Sequence, residues 1–174
     1  GWKSGNPGHT CKNQERLAKY QRRLSKKQKG SANFRKAKLK VAKVHAKIAD
    51  SRKDFQHKLT TKLIHENQVI SVESLQVKNM VKNPKLSKAI SDAGWAELVR
   101  QLQYKADWYG RTLVKIDKWY PSSKRCSCCG YTLERLDLSV RIWECPECNS
   151  VHDRDTNAAV NIKAAGQAVL ARGA

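Results

Sequence analysis

The chain has 174 residues, and its 35 Lys and Arg against 15 Asp and Glu give a formal charge of +20. A polyanion is the expected partner, because cations that neutralise phosphates release condensed counterions, and nucleic acid leads that class. No apolar run approaches the ~18 residues of a spanning helix and no lipidation signal is present, so a membrane partner is not expected.

At this length one core is feasible, together with a small insertion held by metal rather than by apolar surface. The sequence opens Gly1-Trp2-Lys3 with its single methionine at Met80, which reads as a fragment of a longer protein. Residues 1–10 read as loop. From Cys11 to Lys29, Leu17, Tyr20 and Leu24 recur at helical spacing until Gly30-Ser31 breaks the pattern. A second helix is predicted from Ala32 to Glu66, with Phe34, Ala37, Val41, Val44, Ile48, Phe55, Leu59 and Leu63 on its apolar stripe. Residues 1–66 carry 19 Lys and Arg against 4 acids, a net of +15, so this helical hairpin (residues 11–66) holds most of the charge. Arg22, Arg23, Lys26, Lys27 and Lys29 are the candidate nucleic-acid contacts. A Lys-rich helix face can also be merely solvated, but the density over both helices favours phosphate.

Val69-Ile70-Ser71-Val72-Glu73 has strand composition, and alternation puts Val69, Ser71 and Glu73 on one face. Glu73 then projects from a strand end, where a carboxylate either faces solvent or serves a site. Residues 84–94 lead into a helix with Leu86, Ile90, Ala93, Ala96, Val99, Leu102, Ala106 and Tyr109 on one stripe, ended by Gly110. Thr112–Ile116 reads as a second strand, closed by Trp119-Tyr120-Pro121. Trp95, Trp108 and Trp119 are expected in packing rather than as base-stacking platforms, because they lie near periodic apolar positions.

Cys126 and Cys129, then Cys145 and Cys148, form two C-x-x-C pairs separated by fifteen residues, the spacing of a zinc ribbon. Four thiolates leave no open position, so the zinc is expected to be structural. The paired spacing favours thiolates in a reducing compartment, the cytoplasm, over a secreted disulfide scaffold. Cys11 and Cys128 are then spare thiols, and Leu133, Leu136, Leu138, Ile142 and Trp143 are expected as an apolar cap over the ion. His152-Asp153-Arg154-Asp155 follows, ahead of a final helix with Ala158, Ala159, Ile162, Ala165 and Val169 on one side. Asp155 reads either as a carboxylate delivered to a site or as the helix N-cap, and Asp153 is the alternative cap or ligand. His152 fits a supporting or packing role beside a zinc that four thiolates already close.

Arg23-Leu24-Ser25, Val72-Glu73-Ser74-Leu75, Tyr104-Lys105-Ala106, Pro121-Ser122-Ser123-Lys124, the cysteine ribbon and His152-Asp153-Arg154-Asp155 occur in the order seen in TnpB proteins, which the chain resembles over nearly its whole length. These are the OrfB-type proteins of bacterial insertion sequences, long called transposases and related to type V CRISPR effector nucleases. The resemblance implies an α/β fold: an RNase H-like (RuvC) core, incomplete at its N-terminal strands, with the basic hairpin and an inserted zinc ribbon. The implied divisions are 1–121 for the core part with the hairpin, 122–152 for the ribbon and 153–174 for the last RuvC motif and helix. It further implies RNA-guided cleavage of DNA in a prokaryotic cytoplasm at the nucleoid, with a guide RNA and a DNA target as partners. By the same resemblance Glu73 matches the second acidic ligand and Asp155 the third, for catalytic Mg²⁺ or Mn²⁺. Ser74 stands where an acidic or amide residue is common.

The family's first aspartate lies in an Asp-x-Gly context on a strand upstream of the basic helices, and no such strand occurs in this sequence. Asp50 and Asp54 fall within the helical pattern and cannot replace it. The expectation is therefore the C-terminal part of a longer nuclease, or a degenerate copy, inactive alone because two carboxylates hold two ions weakly. The rival reading is a non-catalytic nucleic-acid-binding protein in which ribbon and hairpin clamp RNA or DNA.

Overall fold

The computed structural model describes residue 5 and residues 7–84 and 86–173, and the chain divides into two compact units. One unit, Lys3–Lys62 with Val77–Gln101, is helical. It contains α1 (His9–Ser25), the greater part of α2 (Ala32–Glu66), α3 (Val77–Met80), α4 (Ser87–Ala93) and the start of α5 (Trp95–Trp108). The predicted break at Gly30-Ser31 separates α1 from α2, with Ser31 Oγ accepting from the Phe34 N–H at 3.1 Å as a side-chain cap.

Polar side chains hold this unit together. Val44, Ile48, Gln56, Thr60 and Ile64 are the buried positions of α2, four or eight residues apart, so the stripe turns polar along its length. Gln56 donates from Nε2 to the carbonyls of Ala93 (3.0 Å) and Gly94 (2.9 Å). Asp92, also buried, accepts from Thr10 Oγ1 at 2.6 Å, from the Thr10 N–H and from Arg52 Nη2 at 3.0 Å. Burial alone pushes the Asp92 carboxyl up, but the Thr10 and Arg52 bonds outweigh it and hold the carboxyl below the usual range. Gly94 ends α4 at φ 60°, and a Cβ there would meet Gln56 Nε2 at 2.7 Å. The single helix expected across this stretch is thus two, α4 and α5. The apolar stripe continues through Gly94, which hides the break from periodicity.

The other unit, Leu63–Gln76 with Leu102–Ala174, is α/β. Strands β1 (Val69–Glu73) and β2 (Thr112–Ile116) pair in parallel, Ser71 opposite Val114 and Glu73 opposite Ile116. Both strands keep their predicted bounds. A parallel pair needs cover on both faces, and the alternation supplies it. Ile70 and Val72 pack with Ile64, Leu102, Ala106 and Leu113 on one face. On the other, Ser71 and Ile116 meet Gly166 of α6 (Arg154–Arg172), which packs along both strands.

Between β2 and α6 lies the cysteine-rich segment with β3 (Ile142–Glu144) and β4 (Val151–Asp153), an antiparallel pair. Two side-chain expectations fail. Trp108 and Trp119 are 75% and 79% exposed, because helical spacing locates an element without deciding how far its flank is covered. Within the ribbon, Leu133, Leu136 and Val140 pack on Trp143, Cys126 and Cys145, whereas Leu138 and Ile142 are exposed. Among the described residues, no helix is long and apolar enough to cross a membrane.

Candidate metal centre and the carboxylates beside it

The two C-x-x-C segments fold as matching knuckles. The Cys126 N–H donates to Tyr131 O at 2.7 Å and the Gly130 N–H to Cys126 O at 3.0 Å; the Cys145 N–H donates to Ser150 O and the Asn149 N–H to Cys145 O, both at 2.9 Å. The turn requires a left-handed residue after the second cysteine. Gly130 (φ 83°) and Asn149 (φ 56°) fill that position, Asn149 being the only non-glycine with positive φ among the described residues.

The four Sγ atoms lie within 4.8 Å of one another, with Cys126–Cys148 and Cys129–Cys145 at 3.6 Å. A tetrahedron with Zn–S of ~2.3 Å puts its sulfurs about 3.8 Å apart, so the donor set fits a zinc ion. The thiols' acidities point the same way. Ser150, through its hydroxyl and its backbone N–H, brings Cys148 down to about 6. At Cys129 the Tyr131 backbone bond lowers the pKa, yet burial and the neighbouring sulfurs prevail and push it up to about 12. Four sulfurs this close cannot all ionise unless a cation lies between them.

His152, buried on β4, sets Nε2 3.0 Å from Cys126 Sγ and its ring 4.8 Å from that of Trp143. It supports the sulfur from outside the four-thiolate set, although Cys126, Cys128 and His152 also lie close enough to form a second three-ligand group. Asp153 is the N-cap of α6: its Oδ1 accepts from the Thr156 N–H and Oγ1, both at 2.9 Å. Of the two aspartates that the sequence offers as cap, Asp153 takes the role and Asp155 falls in the first helical turn. The Asp155 side chain is 55% exposed and lies 3.8 Å from Arg141 Nη1.

Glu73 closes β1, and its Oε1 accepts a hydrogen bond from Ser122 Oγ. Nothing among the described residues donates to its other oxygen. Ser122 is itself buried, and Asn161 Nδ2 of α6 donates to the carbonyls of Ser122 (2.8 Å) and Arg125 (2.6 Å). Asn157 Nδ2 donates to the same Arg125 carbonyl at 2.7 Å, while its Oδ1 accepts from the Ser127 N–H at 3.0 Å. Sequence reasoning passed over Ser122, Asn157 and Asn161. The available signal was two amides at helical i,i+4 spacing on an otherwise alanine-rich face.

Carboxylate oxygens are hard donors that suit Mg²⁺ or Mn²⁺, and Glu73 and Asp155 fit such an ion by donor type. Neither Glu73 nor Asp155 belongs to a group of three or more metal-ligating side chains among the described residues.

In the helical unit, Arg23 and Lys27 of the predicted contact set share a cleft of about 220 Å³ with Lys36, Lys40, Asn33 and Tyr20. Arg22, Lys26 and Lys29 are exposed but do not line it.

Two family models match the sequence, "Probable transposase" over residues 1–84 and "Cas12f1-like, TNB domain" over residues 95–162. A "Putative RNA-guided DNA endonuclease" of Streptomyces pristinaespiralis is 56% identical over 99% of this chain and 43% of its own length. The "Putative RNA-guided DNA endonuclease InsQ" of Escherichia coli K12 is 39% identical over 93% of this chain and 44% of its own. The chain thus spans under half the length of these curated relatives. The fold resembles a chain in a cryo-EM structure of a Cas12f1–sgRNA–target DNA complex, with a TM-score of 0.62 at 18% identity over 89% of this chain and 41% of that one.

Proposed function

The chain belongs to the TnpB, OrfB-type family of insertion-sequence proteins, and on that premise we propose that it forms the RuvC-type, RNase H-like nuclease portion of an RNA-guided DNA endonuclease. In this reading residues 1–121 supply the core part and the basic hairpin, 122–152 the ribbon and 153–174 the last motif. Glu73 and Asp155 are two of the acidic ligands, with a third supplied elsewhere in a protein of the relatives' length. The observation that carries the reading is the convergence of β1 and α6. Ser71 meets Gly166, Glu73 is bonded to Ser122, and Ser122 is held by Asn161, so a strand-end carboxylate and a helix bearing Asp155 share one face of the sheet.

When bound there, divalent ions would activate water and stabilise the leaving oxygen of a phosphodiester. The chain's own residues do the rest. Ser122 orients Glu73, the Asp153 cap fixes the turn that carries Asp155, and Arg141 lies near enough to Asp155 to hold it or a phosphate. The basic hairpin carries guide RNA or target DNA through its phosphates.

The test uses a protein of the relatives' length, supplied with guide RNA and Mg²⁺ or Mn²⁺. Either Glu73→Ala or Asp155→Ala abolishes cleavage while zinc content and nucleic-acid affinity stay near wild type, and the 174-residue chain does not cut. Cleavage that survives loss of both carboxylates sinks the site. The binding-only reading draws on the lack of a cluster of three acids among the described residues, and it gains if the longer protein binds guide and target yet never cuts.

A further inference from the structure

We propose that Ser122 is the positioning residue for Glu73, and that the Asn157–Asn161 pair of α6 ties this positioning to the closed zinc ribbon. The inference rests on the reading of Glu73 as a divalent-metal ligand.

A glutamate at a strand end has three side-chain torsions to fix, and only a small part of its conformers points an oxygen at one place. Here a single hydroxyl does the fixing. Ser122 Oγ donates to Glu73 Oε1 and leaves the second oxygen without a donor among the described residues, so one oxygen is held while the other is presented. A neutral hydroxyl suits the task. A Lys or Arg in its place would orient Glu73 equally well but would compete with a cation for the carboxylate.

Ser122 lies in the loop after β2, and loops do not place a hydroxyl unless their backbone is held. The holding groups are amides from one helix face. Asn161 Nδ2 bridges the carbonyls of Ser122 and Arg125, and Asn157 grips both the Arg125 carbonyl and the Ser127 N–H, each bond between 2.6 and 3.0 Å. Both asparagines are buried, and so is Ser122. Arg125 and Ser127 flank Cys126, whose sulfur also meets His152 of β4. The chain of bonds therefore runs from the cysteine cluster through the Arg125 carbonyl to Asn161, Ser122 and Glu73. Zinc that closes the ribbon fixes the backbone at Cys126, and through it the hydroxyl on Glu73.

The experiment titrates zinc-loaded 174-residue chain with Mn²⁺ and follows the free-ion EPR signal. Wild type, Glu73→Gln, Ser122→Ala and Ser122→Thr are compared, with zinc content and thermal unfolding measured on each. Removing a partner that orients a metal ligand typically weakens affinity about 10- to 100-fold, and Ser122→Ala is expected at the lower end, about tenfold. Thr keeps the hydroxyl and restores most of the affinity, while zinc stoichiometry stays at the wild-type value throughout. Mn²⁺ binding that does not depend on Glu73 overturns the underlying reading of Glu73 as a ligand. A Glu73→Gln effect without a Ser122→Ala effect overturns the role of Ser122 alone. Equal losses in Ser122→Ala and Ser122→Thr, tracking loss of zinc or of folded protein, also overturn it, since the hydroxyl would then not be the group that matters.

Discussion

Gly166→Ala tests the packing on which the candidate site depends. An added Cβ at this position in α6 would lie 2.8 Å from Ser71 Cβ and closer still to Ser71 Oγ, a separation that real Cβ atoms essentially never show. The helix itself gains from the change, because Ala is favoured over Gly in a helix interior by about 1 kcal/mol. Overpacking a tight interface costs about 1–3 kcal/mol, and here the upper end applies because the obstructing atoms belong to a short side chain on a paired strand. The net effect is a loss of about 2 kcal/mol, which lowers the melting temperature of a unit of this size by about 8–16 °C. The assay is thermal unfolding of zinc-loaded protein followed by circular dichroism. Ser71→Gly removes both offending atoms, so the double variant should recover most of the loss, and the cycle isolates the pairwise interaction. A Gly166→Ala protein as stable as wild type, or a double variant no better than the sum of its singles, refutes the close approach of α6 to β1.

The pH dependence of the helical unit follows from Asp92. Its folded pKa is depressed, so its stabilising contribution is fully present above the unfolded value of ~3.9 and is lost as pH falls through the folded one. Asp92→Asn should cost about 1.5–3 kcal/mol at neutral pH and flatten the acid limb below about pH 4, and chemical denaturation at neutral and at acid pH reads both effects. For nucleic acid, neutralising Arg23, Lys27, Lys36 and Lys40 should weaken binding to single-stranded RNA more than neutralising Arg22, Lys26 and Lys29 does, after allowance for charge count. The slope of log affinity against log salt should flatten by about 0.7 for each phosphate that the variant no longer neutralises, and Glu73→Ala should leave it unchanged. Equal effects per charge from the two sets would mean that the cleft has no special part in binding.

Elements with strong local signals were legible in the sequence, and polar tertiary bonds were not. Gly30-Ser31 marked the hairpin turn because a breaker interrupts a continuous stripe there, and Val69–Glu73 and Thr112–Ile116 stood out because β-branched runs are rare in so lysine-rich a chain. The cysteine spacing announced the knuckles, since two thiols three residues apart have few other uses. Gly94 was missed because apolar residues keep helical phase on either side of it. Gln56 and Asp92 were missed as core residues because hydropathy places such side chains on the surface unless they have partners, and the partners lie 37 to 82 residues away in sequence. Thr60 was missed for the same hydropathy, its hydroxyl being satisfied by the Gln56 carbonyl of its own helix. Trp108 and Trp119 erred in the opposite sense: hydropathy buried them, while the backbone leaves both side chains mostly open.

The four residues His152 to Asp155 show how the ribbon and the carboxylates form one device rather than two neighbours. Alternation along β4 turns His152 inward to Cys126 and Trp143, which leaves Asp153 pointing out at the end of the strand. There it caps α6, and the Arg154 N–H, donating to the Arg141 carbonyl at 2.8 Å, joins the first helical residue to the segment that leads through β3 into the second knuckle. Asp155 follows within one turn, beside Arg141, and its backbone is set by the cap, the cap by the strand, and the strand by the cysteine cluster. Further along the same helix Asn157 and Asn161 grip the first knuckle, and through Ser122 they reach Glu73. Both candidate carboxylates are therefore positioned by backbone that the four thiolates close. An ion with no open coordination position would act at a distance in this way, by deciding where two acids on separate elements can point.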